Sequence, residues 1–148
     1  VARLYEAGIL TAAAGAAGPV ATVAAGAAAC EIRELSVVNS SNATRAGNIQ
    51  VGRPAAAGTG TLTGSAVQPL DPSDVTGLAM LVTAFGTAAP TAPAVWQRAW
   101  KQATGAPSLG VVMVWEPGEL VLAASGQLVV WADAAVACTF SIFVKVFE

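Results

Sequence analysis

Apolar side chains recur at every second position from Val136 to Phe147. Val136, Cys138, Phe140, Ile142, Val144 and Val146 fall on one side of an extended chain. Thr139, Ser141, Phe143, Lys145 and Phe147 fall on the other. A period of two belongs to a strand with one face in a core. Three shorter runs precede it: Gly110–Trp115 (GVVMVW), Glu119–Ala123 (ELVLA) and Gln127–Asp133 (QLVVWAD). Their separators, Glu116-Pro117-Gly118, Ala124-Ser125-Gly126 and Asp133-Ala134-Ala135, are mostly turn-forming or small residues. Strand-length runs broken at short intervals by turns make an antiparallel sandwich. The expected fold is all-β: an antiparallel jelly-roll or Greek-key β-sandwich of about eight strands.

Earlier segments fit the same frame. Arg3–Gly8 is a short first strand. Residues 11–28 are small and ambiguous, because alanine favours helix while glycine and proline oppose it; the reading is a loop with one strand near Val20–Val23. Cys30–Asn39 is a strand whose alternation slips: Cys30 and Ile32 share one parity, Leu35 and Val37 the other. A one-residue slip predicts a β-bulge or a sheet corner. Asn48–Arg53 follows with Ile49 and Val51 inward. Gly77–Phe85 is apolar throughout and reads as strand or buried helix. Val95–Gln102 is read as a strand fenced by prolines, with Trp96, Arg98 and Trp100 on one face. At 148 residues the chain is expected to be a single domain over 1–148, with a long loop near 54–76 rich in Gly, Thr, Ser and Pro.

The apolar fraction is 55%, but 34 of the residues are alanine, so the bulky core must come from these short runs. Only 11% of residues are charged and the net charge is −2, little for a large free surface. Either neighbours in an assembly cover much of that surface, or small polar residues dress it. The seven cations are scattered, which argues against nucleic acid as a partner. Residues 11–29 form the longest apolar stretch, but Gly15, Gly18, Pro19 and Gly26 and the lack of bulky side chains argue against a membrane span. A basic segment before that stretch is missing, so the expectation is a cytoplasmic product without a lipid anchor. Two cysteines, Cys30 and Cys138, make neither a disulfide framework nor a zinc site. Each lies in a strand-like run, where burial as a thiol is the common outcome.

Histidine is absent. That removes the usual general base, the Ser-His-Asp triad and most catalytic zinc sites. Glu31 and Glu34 fall on opposite faces of an extended strand, so they are expected not to converge unless the bulge turns one. Asp71-Pro72-Ser73-Asp74 reads as a turn or helix cap, and Glu116-Pro117-Gly118-Glu119 as a solvated tight turn. Gly58–Gly64 (GTGTLTG) lacks the Gly-Lys-Ser/Thr ending of a phosphate loop and reads as a flexible loop. Asn42-Ala43-Thr44 matches a glycosylation acceptor by composition alone. Trp115 and Trp131 end neighbouring strand runs, as core tryptophans do. The expectation is no enzyme, no catalytic or metal-binding residues and no cofactor. Phe143 and Phe147 break the polar side of the last strand, and lie either under a loop or on a contact surface for another subunit.

Several segments resemble small jelly-roll proteins encoded among the structural genes of tailed bacteriophages. They are Ala2-Arg3-Leu4-Tyr5-Glu6-Ala7, Glu34–Val38, Gly52-Arg53-Pro54-Ala55-Ala56, Gly110–Trp115, Ser125–Trp131 and Phe143–Glu148. The resemblance spans nearly the whole chain. It implies a virion structural protein assembled in the bacterial cytoplasm, first of all a head decoration (cement) protein. Its partners would be the major capsid protein and itself, as a homo-oligomer such as a trimer. The candidate contact residues are Arg3, Leu4, Tyr5, Arg53, Pro54, Leu62, Phe143 and Phe147. A tail, neck or fibre-attachment component and a carbohydrate-binding sandwich are the competing readings.

Overall fold

The computed structural model describes residues 3–11, 17–40, 47–102, 110–133 and 138–148. Among them are twelve strands: β1 (Leu4–Leu10), β2 (Gly18–Ala24), β3 (Cys30–Asn39), β4 (Gly47–Pro54), β5 (Leu62–Ala66), β6 (Gln68–Pro69), β7 (Met80–Phe85), β8 (Pro93–Gln102), β9 (Gly110–Val114), β10 (Val121–Leu122), β11 (Gln127–Ala132) and β12 (Phe140–Phe147). They form two six-stranded sheets. The front sheet runs β10-β3-β12-β1-β6, with β9 on the same edge of β3 as β10. The back sheet runs β5-β7-β2-β11-β4-β8. Every pairing is antiparallel, and the fold is a β-sandwich as the alternation predicts.

The pairings are nested. β1 pairs with β12, β2 with β11, β3 with β9 and β10, β4 with β8, and β5 with β7. This is one long hairpin folded back on itself, the connectivity of a jelly roll. The count exceeds the expected eight because short strands such as β5 and β6 form outside the alternating runs, while the run Glu119–Ala123 keeps only a two-residue strand. The region read as a long loop near 54–76 holds β5 and β6. Its Gly, Thr and Ser content hid them, since pairing with β7 and β1 supplies what propensity does not. Gly77–Phe85 resolves to a strand, and Val95–Gln102 is strand as expected. Gln97 and Ala94 are extra residues opposite β4, which interrupts the expected regular alternation of β8. The side chains of Trp96 and Trp100, the start of the last run at Val136 and the triplet Asn42–Thr44 lie outside the described residues.

The slip in β3 is a bulge. Lys145 pairs with Glu34 and Val146 with Ile32, which leaves Arg33 as the extra residue. It lets Cys30, Ile32, Leu35, Val37 and Asn39 all point inward despite their change of parity. They meet the inner side of β12, where Phe140, Ile142, Val144 and Val146 are fully buried. Val23, Leu81, Leu128, Val130, Val51 and Ile49 answer from the back sheet.

The two outer faces differ. On the back sheet, Thr22 aligns with Val82 and Val129 in one cross-strand row, and all three are buried although their strand neighbours Val23, Leu81 and Leu128 fill the core. Their cover comes from two chain crossings. β4 ends beside the start of β11, while β5 starts beside the end of β7, so segment 55–61 must cross the sheet diagonally. Segment 86–92 returns the opposite way to β8. The two zip together, with Thr59 N–H donating to Ala88 O at 2.8 Å and Thr91 N–H to Ala56 O at 3.0 Å. Gln127 pins this ribbon: its Oε1 accepts from Gly58 N–H at 2.8 Å, and its Nε2 donates to Gly58 O at 2.9 Å. A Cβ at Gly58 would strike the Phe85 ring, so the stretch read as a flexible loop is a packed one.

Glu148 ties the sheets together at one end. Its carboxylate accepts from Leu78 N–H at 2.8 Å and Ala79 N–H at 2.6 Å, while its backbone pairs with Arg3. Charge-assisted bonds of this type each contribute more than neutral ones. Glu148→Ala is therefore expected to lower unfolding free energy by ~2 kcal/mol, read as a shift in denaturant midpoint with unchanged slope.

Candidate functional site

Carboxylates come first, because they are the acid–base chemistry left without histidine. The expected divergence of Glu31 and Glu34 is a correction: the bulge at Arg33 turns both to the outer face of β3. There they take separate partners, Glu31 binding Arg33 at 3.1 Å and accepting from Gly118 N–H, and Glu34 pairing with Lys145 at 3.5 Å. Glu116–Glu119 is a tight turn with Pro117 and a positive-φ Gly118 in its centre, the type II arrangement. Glu119 accepts from Glu116 N–H at 2.9 Å and pairs with Arg98 at 3.4 Å. Asp71 opens a turn, not a helix: its Oδ1 accepts from both Ser73 N–H and Ser73 Oγ–H, and these bonds hold its carboxyl below the usual range. Asp74 is ion-paired to Arg3. Glu31, Glu34, Asp71, Asp74 and Glu119 are each occupied in shaping a turn or balancing a cation.

The tryptophans form no exposed pair on what is described of them. Trp115 is buried and Trp131 half-buried. Arg98 lies over the Trp115 ring at 5.5 Å.

The contact candidates divide between two regions. Arg3, Leu4 and Phe147 come together at one end of the front sheet, where Leu4 is paired with Phe147 and Arg3 with Glu148. The turn 70–78 packs beside them, with Leu70 N–H donating to Leu4 O at 3.3 Å. Two open depressions of about 560 and 410 Å³ flank Arg3 there, lined by Tyr5, Val75, Leu70 and Phe147 among others. Around them Leu70, Val75 and Leu78 stay exposed, Val75 at 79%. Tyr5 is a correction: it is buried on the inner side of β1 and contributes a wall of the depression, not a projecting contact. Its parity decides this, since Tyr5, Ala7 and Ile9 point inward while Leu4, Glu6 and Leu10 do not.

Arg53, Pro54 and Leu62 lie elsewhere. The Arg53 guanidinium donates to Val121 O at 3.0 Å, a strut from β4 to the edge of the front sheet. Pro54 is half-buried opposite Pro93, and Leu62 half-buried on β5 opposite Phe85.

Phe143 lies on the outer face of the front sheet, half-buried. It sits beside Gly8 on β1, with Lys145 Nζ 5.8 Å from its ring centre. Arg33 covers Phe147 in the same way at 5.2 Å. Sequence reading missed their neighbours. Leu10, Val112 and Val114 on this face are 65%, 60% and 62% exposed. The signal was in GVVMVW: an unbroken apolar run alternates like any strand, so burying Met113 and Trp115 turns Val112 and Val114 outward.

No protein-family model, curated protein or solved structure matches the chain. Among the described residues no helix is long and apolar enough to cross a membrane.

Cys30 and Cys138 do not bond each other. Cys30 opens β3, and Cys138 Sγ lies 3.8 Å from Asn39 Nδ2 at its far end. Nine steps of strand separate them by ~30 Å, against the ~7 Å limit between disulfide Cα atoms. Burial, with the nearby Glu148 charge second, pushes the Cys30 thiol up to about 12. The folded value lies above the unfolded one, so this stabilisation is complete below ~9 and is lost as pH rises toward 12. Cys30→Ala is expected to remove up to ~1.4 kcal/mol per pH unit of slope from stability measured in that window.

Proposed function

We propose that the chain is a structural component of a tailed-phage virion, a head decoration protein that docks on the major capsid protein lattice and stabilises the shell. The observation that carries this reading is the convergence of Arg3, Leu4 and Phe147 with the exposed Leu70, Val75 and Leu78 at one end of the sandwich. Apolar anchors around a charged pair are what a protein contact uses: the anchors supply energy, and the Arg3–Asp74 pair fixes orientation at the rim. The low overall charge favours a protein that spends its life against other protein. The carboxylates of Glu31, Glu34, Asp71, Asp74 and Glu119, engaged in structural bonds, support a non-enzymatic role.

Purified protein mixed with expanded empty heads is expected to bind until every lattice position is filled, and to raise the temperature at which the heads rupture. Val75→Asp with Leu70→Asp is expected to weaken that binding about tenfold or more, the effect of ~1.4 kcal/mol, with an unchanged circular dichroism spectrum. A virion count of three or six copies would assign the chain to the tail or neck instead. Failure of the wild-type protein to bind heads ends the decoration reading.

A further inference from the structure

The uncovered face of the front sheet is a grid of cross-strand rows over β1, β12, β3 and β9. The central row reads Gly8, Phe143, Ser36, Val112. On one side lies Leu10, Ser141, Val38, Gly110, and on the other Glu6, Lys145, Glu34, Val114. Turning the grid about a line between β12 and β3, parallel to the strands, exchanges β12 with β3 and β1 with β9. Phe143 then falls on Ser36, Val38 on Ser141, Leu10 on Gly110 and Val112 on Gly8. At each of these four positions a large side chain meets a small one, while Glu6 falls on Val114 at the rim of the patch. Lys145 falls on Glu34, and Glu34 on Lys145.

We propose that two copies of this chain form a two-fold dimer by packing their front sheets face to face, with Lys145 of each copy against Glu34 of the other. Self-complementarity of one patch is what an isologous contact requires. Within one chain Lys145 and Glu34 are 3.5 Å apart and each is 30% exposed, so a second copy closes them into a ring of alternating charge. The size suits it. Four strands ~4.8 Å apart and five residues at ~3.3 Å each span a patch on the order of 20 by 17 Å. With side-chain relief this offers on the order of 500–650 Å² of accessible surface, at the low end of what a stable interface takes from each partner. The exposed Leu10, Val112 and Val114 supply its apolar part. The back sheet cannot offer an equivalent surface, because its own ribbon fills that face. The dimer leaves the end around Arg3 open, so it stands or falls separately from head binding.

Light scattering coupled to size-exclusion chromatography tests this with a charge exchange. Wild-type protein is expected to run as a dimer at micromolar concentration. Lys145→Glu alone places Glu against Glu34 of its copy, and Glu34→Lys alone places Lys against Lys145; each is expected to be a folded monomer. Mixed one to one, the two variants are expected to form a heterodimer, since every trans contact is again between opposite charges. A purely structural role for the pair within one chain does not produce that recovery. Ser141→Arg, an exposed change on the same face, is expected to give a folded monomer even if a charge variant does not fold. A monomeric wild type overturns the proposal, as does Ser141→Arg remaining dimeric, or folded charge variants that stay apart on mixing.

Discussion

β12 is hydrogen-bonded on both sides, to β1 along one edge and to β3 along the other. The rest of the sandwich depends on that double pairing. It brings the first and last strands of the nested hairpin together, so every inner pair follows in register. It also sets a buried wall of Phe140, Ile142, Val144 and Val146 against the back sheet. A shift of one residue would turn those four side chains to solvent and carry Phe143 and Lys145 into the core. The bulge at Arg33 absorbs the parity change in β3 and keeps both halves of that strand in step with β12.

The two sheets solve the problem of their outer faces differently. A central strand buried on both sides needs a near-continuous apolar run, and β2 and β11 have one. The ribbon of 55–61 and 86–92 supplies their second cover, held by the Gln127 amide against Gly58. The front sheet has no such crossing among the described residues. Its outer face carries a charged row through Glu6, Lys145 and Glu34, and valines that are apolar without a cover. Cations lying over Phe143 and Phe147 shield those rings only in part. The fold therefore has one finished face and one that resembles half of an interface.

Local pattern made much of this legible. The period of two in the last strand, the parity slip of β3 and the turns at Glu116–Glu119 and Asp71–Asp74 are written in neighbouring residues, and each has the local form expected of it. Pairing partners are not written locally. β5 and β6 form from Gly-, Thr- and Pro-containing stretches because β7 and β1 lie beside them. Tyr5 looked like a contact residue beside Arg3 and Leu4, but alternation along β1 sends it inward while they remain outside.

By itself, the sequence determined that the chain is extended, where it turns, and which side of most strands is apolar, since these depend on residues a few positions apart. Only the tertiary structure decided which apolar sides are covered. That depends on where chain segments far apart cross: the ribbon passes over Thr22, Val82 and Val129 of the back sheet and leaves Leu10, Val112 and Val114 of the front sheet in solvent. A side chain cannot signal from its neighbours whether a distant loop will lie on top of it.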